Sequence, residues 1–144
     1  MLSFNHVLFA SKLDSKTCTQ TLRKVMDLAE IAHAKVTLLH VVKPILAAYN
    51  SPDLFESYDL EKALIAEAKA KLIKHAKEAN FPMEQTIITN GNPAKTILDY
   101  ADKLDCDLIV LNGNTHNVFG RLGSTADAII NRAKCNVFIL RQAV

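Results

Sequence analysis

Short apolar runs recur along the chain and are separated by longer amphipathic stretches. Four of the runs are almost continuously hydrophobic, a pattern typical of strands that are buried on both faces of a parallel sheet. They cover residues 6–11, 36–42, 107–112 and 136–140. Residues 84–89 are more polar and predict a fifth strand at an edge of the sheet.

Between these strands, apolar residues recur every three or four positions, which predicts four amphipathic helices. The first stripe is Cys18, Leu22, Val25, Ala29 and Ala32; the second is Leu60, Leu64, Ala68, Leu72, Ala76 and Ala79. The third is Ala94, Ile97, Leu98, Ala101 and Leu104; the fourth is Ala126, Ile129, Ile130 and Ala133. Their expected starts are Asp14 or Ser15, Asn92-Pro93, and Ser124 or Thr125.

This alternation of strands and helices predicts an α/β fold, in which a mostly parallel sheet carries helices on both faces. One connection between a strand and a helix is longer than the others. Residues 43–58 contain two prolines and an Asn-Ser pair, so we expect a long loop there. Its apolar residues leave three roles open: covering a sheet edge, capping a crevice or packing against a partner.

Length and composition add limits to this fold. The chain has 144 residues, which suits one domain over residues 1–144, and its net charge is only +2 without a basic block. We therefore expect no nucleic-acid partner. Without a leader-like N-terminus or a long apolar stretch, a cytoplasmic protein without membrane contact is expected. Three widely spaced cysteines, Cys18, Cys106 and Cys135, suggest buried free thiols and no metal site.

In open parallel sheets, ligands bind beyond the carboxyl ends of the strands. Loops 10–15, 42–58 and 112–125 should meet there, and the third holds three of the four glycines. Such a loop before a helix can cradle a phosphate. Alternatively, Gly123 makes a turn and Ser124 caps the helix. His40 fits a satisfied core histidine and His116 an exposed loop residue, so no catalytic set is assembled.

Six segments, taken in order, resemble the universal stress protein family across essentially the whole chain. They are Val7–Ala10 (VLFA), Ala34–Val41 (AKVTLLHV), Gly91–Ile97 (GNPAKTI), Cys106–Gly113 (CDLIVLNG), Gly123–Ala126 (GSTA) and Ala133–Leu140 (AKCNVFIL). The resemblance implies a Rossmann-like five-stranded sheet in the order 3-2-1-4-5. It also implies a homodimer joined through the last strand, here Val137, Phe138 and Ile139.

Family members that bind ATP carry Gly-x2-Gly-x9-Gly-Ser/Thr after strand four and an adenine-contacting aspartate after strand one. Here Gly113 and Gly123-Ser124 match the ends of that motif, but His116 replaces its second glycine and only six residues follow before Gly123. Lys12 stands at the aspartate position, and Asp14 follows two residues later. The short loop resembles the universal stress protein A branch, which does not bind ATP.

The resemblance implies candidate nucleotide-site residues, which are Ala10, Lys12, Val41, Gly113, His116, Gly123, Ser124 and Thr125. The leading hypothesis is a non-enzymatic stress protein that acts as a homodimer through protein partners, without tight ATP binding and with no required cofactor. The second hypothesis is a regulatory switch that binds ATP or AMP. The third is a slow nucleotide hydrolase.

Overall fold

The structure is a computed structural model that describes residues 3–13, 18–43, 54–113 and 123–141, and side chains throughout these ranges except at 54–58. The chain alternates strands and helices. In order, the elements are β1 (His6–Ala10), α1 (Cys18–Ala32), β2 (Lys35–Val42), α2 (Leu54–Glu78), β3 (Thr86–Asn90), α3 (Pro93–Lys103), β4 (Leu108–Asn112), α4 (Ser124–Arg132) and β5 (Asn136–Leu140). A short 3₁₀ turn, Met83–Gln85, leads into β3.

The five strands form one parallel sheet in the order β3-β2-β1-β4-β5, as the family resemblance implies. β1 lies at the centre, where Phe9 is level with Leu38 of β2 and Val110 of β4. β3 lies at an edge, which confirms the expectation from its polar sequence. The central strands β1 and β4 are the most apolar because both of their faces are covered.

Each face of the sheet has its own hydrophobic core. Phe9 points into the core that α1 and α2 cover, whereas the preceding Leu8 points into the core under α3 and α4. Both side chains are fully buried. Consecutive residues of a strand project to opposite faces, so a run without polar residues serves two cores at once.

Helix α2 corrects the predicted loop over residues 43–58, because it begins at Leu54. No glycine or proline lies between Leu54 and Glu78, so nothing in this stretch interrupts a helix. Two members of the predicted stripes are exposed: Leu60 is 49% exposed and Ile130 is 43% exposed. A third, Leu64, is half-buried and belongs to neither core.

Three helices end without glycine. His33, Asn80 and Asp105 adopt left-handed backbone conformations (φ 56°, 57° and 52°) just beyond α1, α2 and α3. In each case the next amide donates back into the helix, as from Ala34 N to Ala29 O at 2.8 Å. This is a helix-ending motif in which glycine is usual but Asn, Asp and His are tolerated.

The cysteines are free, as predicted, and the burial prediction is confirmed for two of them. Cys18 and Cys106 are buried, and burial raises the pKa of the Cys106 thiol to about 12, which keeps it protonated at neutral pH. Cys135 is only half-buried, because it precedes the edge strand β5. Within the described ranges, no helix is long and apolar enough to cross a bilayer.

Candidate functional site

A cavity of about 630 Å³ opens at the carboxyl end of the sheet. Strands β1, β2 and β4 end in it, and α2, α3 and α4 form its walls. Among the described residues it is lined by Ala10, Ser11, Lys12, Leu13, Leu39, His40, Val41, Val42, Lys43, Leu64, Glu67, Ala68, Lys71, Pro93, Ile97, Leu111, Asn112, Ser124, Thr125 and Ala126. Its size and mixed lining are those of small-molecule sites.

Ser11 anchors the floor of this cavity. Its N–H donates to Leu39 O at 2.9 Å, and its carbonyl accepts a hydrogen bond from Nδ1 of His40 at 2.6 Å. Its hydroxyl lies 3.0 Å from the Cys18 thiol and accepts from Leu13 N at 3.3 Å. The serine therefore fixes how the chain leaves β1. His40 is hydrogen-bonded, as predicted, but it is half-buried and lines the cavity instead of lying in the core.

The chain turns sharply beside the cavity after Ser11. Leu13 has a φ of 60°, in the left-handed region that a leucine rarely adopts, and its side chain is buried. Lys12, the residue before it, is exposed while it lines the cavity. Asp14, the other residue considered as an adenine acceptor, lies outside the described residues.

The charged groups that line the cavity are mostly cationic. Lys12 and Lys43 are exposed at its rim, and Lys71 pairs with Glu67 on α2 at 3.3 Å. The described lining thus holds three ammonium groups against one carboxylate. This balance favours an anionic ligand.

Helix α4 begins at the cavity wall. Gly123 occupies the cap position, so no side chain caps the helix, and Ser124 and Thr125 line the cavity from the first turn. This corrects the alternative in which Ser124 is the cap. The predicted Asn92-Pro93 start of α3 is confirmed, because Asn92 Oδ1 accepts a hydrogen bond from Lys95 N at 3.0 Å.

Gly113 follows β4, and its backbone is hydrogen-bonded to the neighbouring strand β5. Its N–H donates to Leu140 O at 2.8 Å. A Cβ at this position would come within 2.8 Å of Arg141 Cγ and 3.3 Å of Ile139 Cγ2. Glycine at 113 therefore has a packing reason, and its N–H is already used within the sheet.

Asn112 is the residue of the site that sequence reasoning missed. It ends β4, lines the cavity and is only 7% exposed. Its side-chain oxygen, Oδ1, is shielded from solvent and has no hydrogen-bond partner among the described residues. A polar residue that ends an otherwise apolar strand at the ligand edge of the sheet was the signal available in the sequence.

Five of the eight predicted nucleotide-site residues line this one cavity: Ala10, Lys12, Val41, Ser124 and Thr125. Gly113 and Gly123 adjoin residues that line it, whereas His116 lies outside the described residues. The structure also adds residues that the motif comparison left out, such as Lys43 and Lys71. Among the residues with described positions, no cluster of His, Cys, Asp and Glu is arranged to hold a metal ion.

A comparison of the chain with protein families gives a match over almost its whole length. Residues 3–141 match the model of the universal stress protein family. The chain belongs to the universal stress protein family. It is 27% identical over 142 residues to universal stress protein A homolog 2 of Coxiella burnetii, a match that spans 98% of this chain and 97% of that one.

Solved structures of universal stress proteins share the fold. The universal stress protein UspA from Lactobacillus plantarum superposes with a TM-score of 0.79 at 28% identity, covering 98% of this chain and all (100%) of that one. A universal stress protein solved in complex with cAMP gives a TM-score of 0.60 at 20% identity, covering 98% and 99% of the two chains. The chain spans about half, 48%, of the length of another structure it matches, a functionally unknown protein from Pseudomonas aeruginosa PAO1.

Proposed function

We propose that this universal stress protein is a cytoplasmic, non-enzymatic regulator that acts in the stress response as a homodimer through protein partners and does not bind ATP tightly. The observation that carries the ATP part is Lys12, an exposed lysine on the cavity wall. Its position is the one that an adenine-contacting aspartate occupies in ATP-binding members of the family. An ammonium group offers three donors and no acceptor, so it cannot accept a hydrogen bond from the adenine amino group.

Gly113 supports the same proposal. In the ATP motif, glycines leave backbone N–H groups available to phosphate oxygens. The N–H of Gly113 instead donates to Leu140 O at 2.8 Å, and Arg141 packs over its Cα. The first glycine of the motif therefore serves the β4–β5 contact in this chain.

The homodimer part of the proposal places β5 at the interface. β5 is an edge strand, and its residues Val137, Phe138 and Ile139 are half-buried. An exposed edge of this kind offers unpaired backbone groups to another strand. Pairing of two β5 strands would satisfy these groups and cover the apolar residues at once.

Calorimetric titration of the purified protein with ATP tests the ATP part. We expect a dissociation constant weaker than about 100 μM. No stoichiometric adenine nucleotide should appear in the supernatant after denaturation. A stoichiometric release or a low-micromolar affinity would overturn the proposal.

The role of Lys12 itself is tested by Lys12→Asp, with Lys43→Asp as the matched control. Both variants exchange an exposed lysine of the cavity lining for an acid. Only Lys12→Asp places an acceptor where adenine would lie, so only this variant should gain affinity for ATP. Equal behaviour of the two variants would show that Lys12 is not the obstacle.

A second candidate function is a regulatory switch that binds adenine nucleotides. The observation in its favour is the cavity itself, with a cationic lining and the uncapped start of α4 on its wall. A universal stress protein that is 20% identical was solved with cAMP, and at this identity the likeness extends to the fold alone. Titrations with AMP and cAMP beside ATP separate this function from the first.

A further inference from the structure

The dipeptide Asn-Gly occurs twice in the chain, as Asn90-Gly91 and Asn112-Gly113. In each case the asparagine is the last residue of a strand, β3 or β4. The backbone nitrogen of a residue after asparagine can attack the side-chain carbonyl carbon and close a five-membered ring. Glycine favours this attack because it has no Cβ to obstruct the approach and restricts its backbone least. Both dipeptides therefore carry the groups for a spontaneous covalent modification.

The fold places the two dipeptides in different surroundings. Asn90 is exposed and ends the edge strand β3, where the bond from Gly91 N to Val42 O, 3.1 Å long, follows the last paired residues. Asn112 is 7% exposed and ends β4, which lies between β1 and β5. A terminal hydrogen bond of an edge strand opens more readily than one between interior strands. Only Asn90 is therefore expected to react in the folded protein.

Contacts to two different elements hold the reacting groups of the exposed dipeptide apart. Asn90 Nδ2 donates to Glu61 Oε1 of α2 at 2.5 Å, so the carboxamide is fixed towards the helix. Gly91 N instead donates to Val42 O of β2. Closing the ring requires both hydrogen bonds to open. Glu61 thus opposes the reaction without taking part in it.

We propose that Asn90 is a site of spontaneous deamidation, and that Glu61 protects it for as long as α2 stays against the end of β3. In the reaction, Gly91 N bonds to Asn90 Cγ, and the side-chain nitrogen leaves as ammonia with the proton from Gly91 N. Water then opens the resulting succinimide to aspartate or isoaspartate. No oxidant, metal or cofactor is needed.

The product cannot restore the contact between the strand and the helix. A carboxylate at position 90 has no proton to donate to Glu61, and the two negative charges repel each other. Leu64 and Glu67, on the next turns of α2, line the cavity. Deamidation therefore leaves a permanent change beside the cavity wall. This inference goes beyond the proposed function, because it requires neither a nucleotide nor a dimer.

The site is tested by incubating the wild-type protein at mildly alkaline pH and quantifying conversion by peptide mass spectrometry. Asn90 should convert about tenfold faster than Asn112 in the folded protein, and the two should convert at similar rates in urea. Asn92 is the internal control, because the nitrogen of Pro93 carries no hydrogen. Equal rates in the folded protein, no conversion at Asn90, or a difference that persists in urea would overturn the proposal.

Protection by Glu61 is tested separately. Glu61→Ala removes the acceptor, so conversion at Asn90 should become about fivefold faster, while conversion at Asn112 should not change. Asp59→Ala is the matched control, because it removes an exposed carboxylate from the same helix, two residues away. An unchanged rate in Glu61→Ala, or the same acceleration in Asp59→Ala, would show that Glu61 is not the protecting group.

The structural consequence is tested with Asn90→Asp, which reproduces one of the two products. Backbone hydrogen exchange in the first half of α2 should become faster than in the wild-type protein, because the contact with Glu61 is lost. Asn131→Asp, at an exposed position of α4, is the control and should leave exchange in α2 unchanged. Unchanged exchange in Asn90→Asp would contradict the proposed effect. None of these results depends on the ATP titration.

Discussion

At the scale of single residues, Asp107 ties the start of β1 to the start of β4. Its carboxylate accepts hydrogen bonds from Asn5 N at 2.8 Å and His6 N at 3.0 Å. Burial by itself would raise the pKa of Asp107, but the two backbone donors outweigh burial, and the pKa lies below its ordinary value of 3.8. The stabilisation is therefore complete above that value and is lost as the pH falls through the lower pKa of the folded state.

We predict that Asp107→Asn lowers the free energy of unfolding by about 1–2 kcal/mol at pH 7, a range for hydrogen bonds to a charged group at a partly solvated site. The difference from wild type should shrink as the pH falls below 3.8 and through the lower pKa of the folded state. Urea denaturation at several pH values measures this difference in the free energy of unfolding. Asp99→Asn, at an exposed position of α3, is the control and should change little; a pH-independent difference would contradict the prediction.

Gly91 is the glycine whose conformation excludes a side chain. Its φ is +143°, and a Cβ would lie 2.9 Å from Thr96 Oγ1. Gly91→Ala should therefore lower the free energy of unfolding by about 1–3 kcal/mol. Gly113→Ala is the matched comparison, because its Cβ would be similarly close to a neighbour, 2.8 Å from Arg141 Cγ, but without positive φ; if backbone strain dominates, its loss should be smaller. Thermal denaturation of both variants measures which substitution destabilises the protein more. A larger loss for Gly113→Ala would contradict the claim that the positive φ at Gly91 excludes a side chain.

Residues of the site differ in how far the sequence reveals them. Lys12, Ser124 and Thr125 were predicted because a family motif marks their positions, and they line the cavity. Asn112 and Lys71 carry no motif, since both become part of the site only because β4 ends, and the middle of α2 passes, at the same cavity. Sequence spacing within one element cannot report a contact between elements that are forty residues apart.

At the scale of elements, strand β5 exposes one side of its backbone. Leu140 O accepts from Gly113 N, so the N–H and C=O of Leu140 face β4. Because these groups alternate along a strand, those of Ile139 face the open edge. By the same alternation, the backbone N–H and C=O of Phe138 face β4. Its ring packs edge-on against the ring of Phe4, with ring centroids 5.9 Å apart.

We therefore predict that Ile139→Pro, which removes an edge-facing donor, converts the proposed dimer to a monomer. Ile139→Ala keeps the donor and should remain dimeric. Molar mass from light scattering coupled to size-exclusion chromatography distinguishes the two. A dimer that survives the proline would place the interface on another surface.

Elements with strong periodicity were predictable from sequence, whereas boundaries set by flanking loops were not. Strand 136–140 was predicted with the bounds it has, because a short run rich in β-branched and aromatic residues follows a predicted helix and favours a strand. The start of α2 at Leu54 was missed, since prolines and an Asn-Ser pair just before it suggested that the whole of 43–58 was a loop. A helix can begin directly after such residues, and the sequence pattern does not mark the residue at which it begins.

At the scale of the whole molecule, stability rests on two cores that lie on opposite faces of one sheet and share its three central strands, β1, β2 and β4. Leu8 and Phe9 are adjacent, fully buried and on opposite faces of β1. We expect Leu8→Ala to lower the free energy of unfolding by about 2–5 kcal/mol and Phe9→Ala to lower it by about 3–5 kcal/mol. These values approach the total stability of a typical domain, about 5–15 kcal/mol. Ile31→Ala, at a side chain that is 71% exposed, should be nearly neutral.

Chemical denaturation of these three variants, followed by circular dichroism, measures the differences. We expect comparably large losses of the free energy of unfolding at Leu8 and Phe9, because both cores are needed for stability. If one of the two substitutions were tolerated like Ile31→Ala, the corresponding helix layer would contribute little to stability. The sheet would then depend on a single core.

The central position of β1 has a consequence for the order in which the molecule is made. Of the five strands, β1 is synthesised first, yet one of its two neighbours, β4, ends only at Asn112. Until then β1, β2 and β3 can pair, but the edge of β1 that faces β4 remains unpaired, and four of the five residues of that strand are apolar. A nascent chain that stalls before residue 108 therefore presents a surface prone to aggregation.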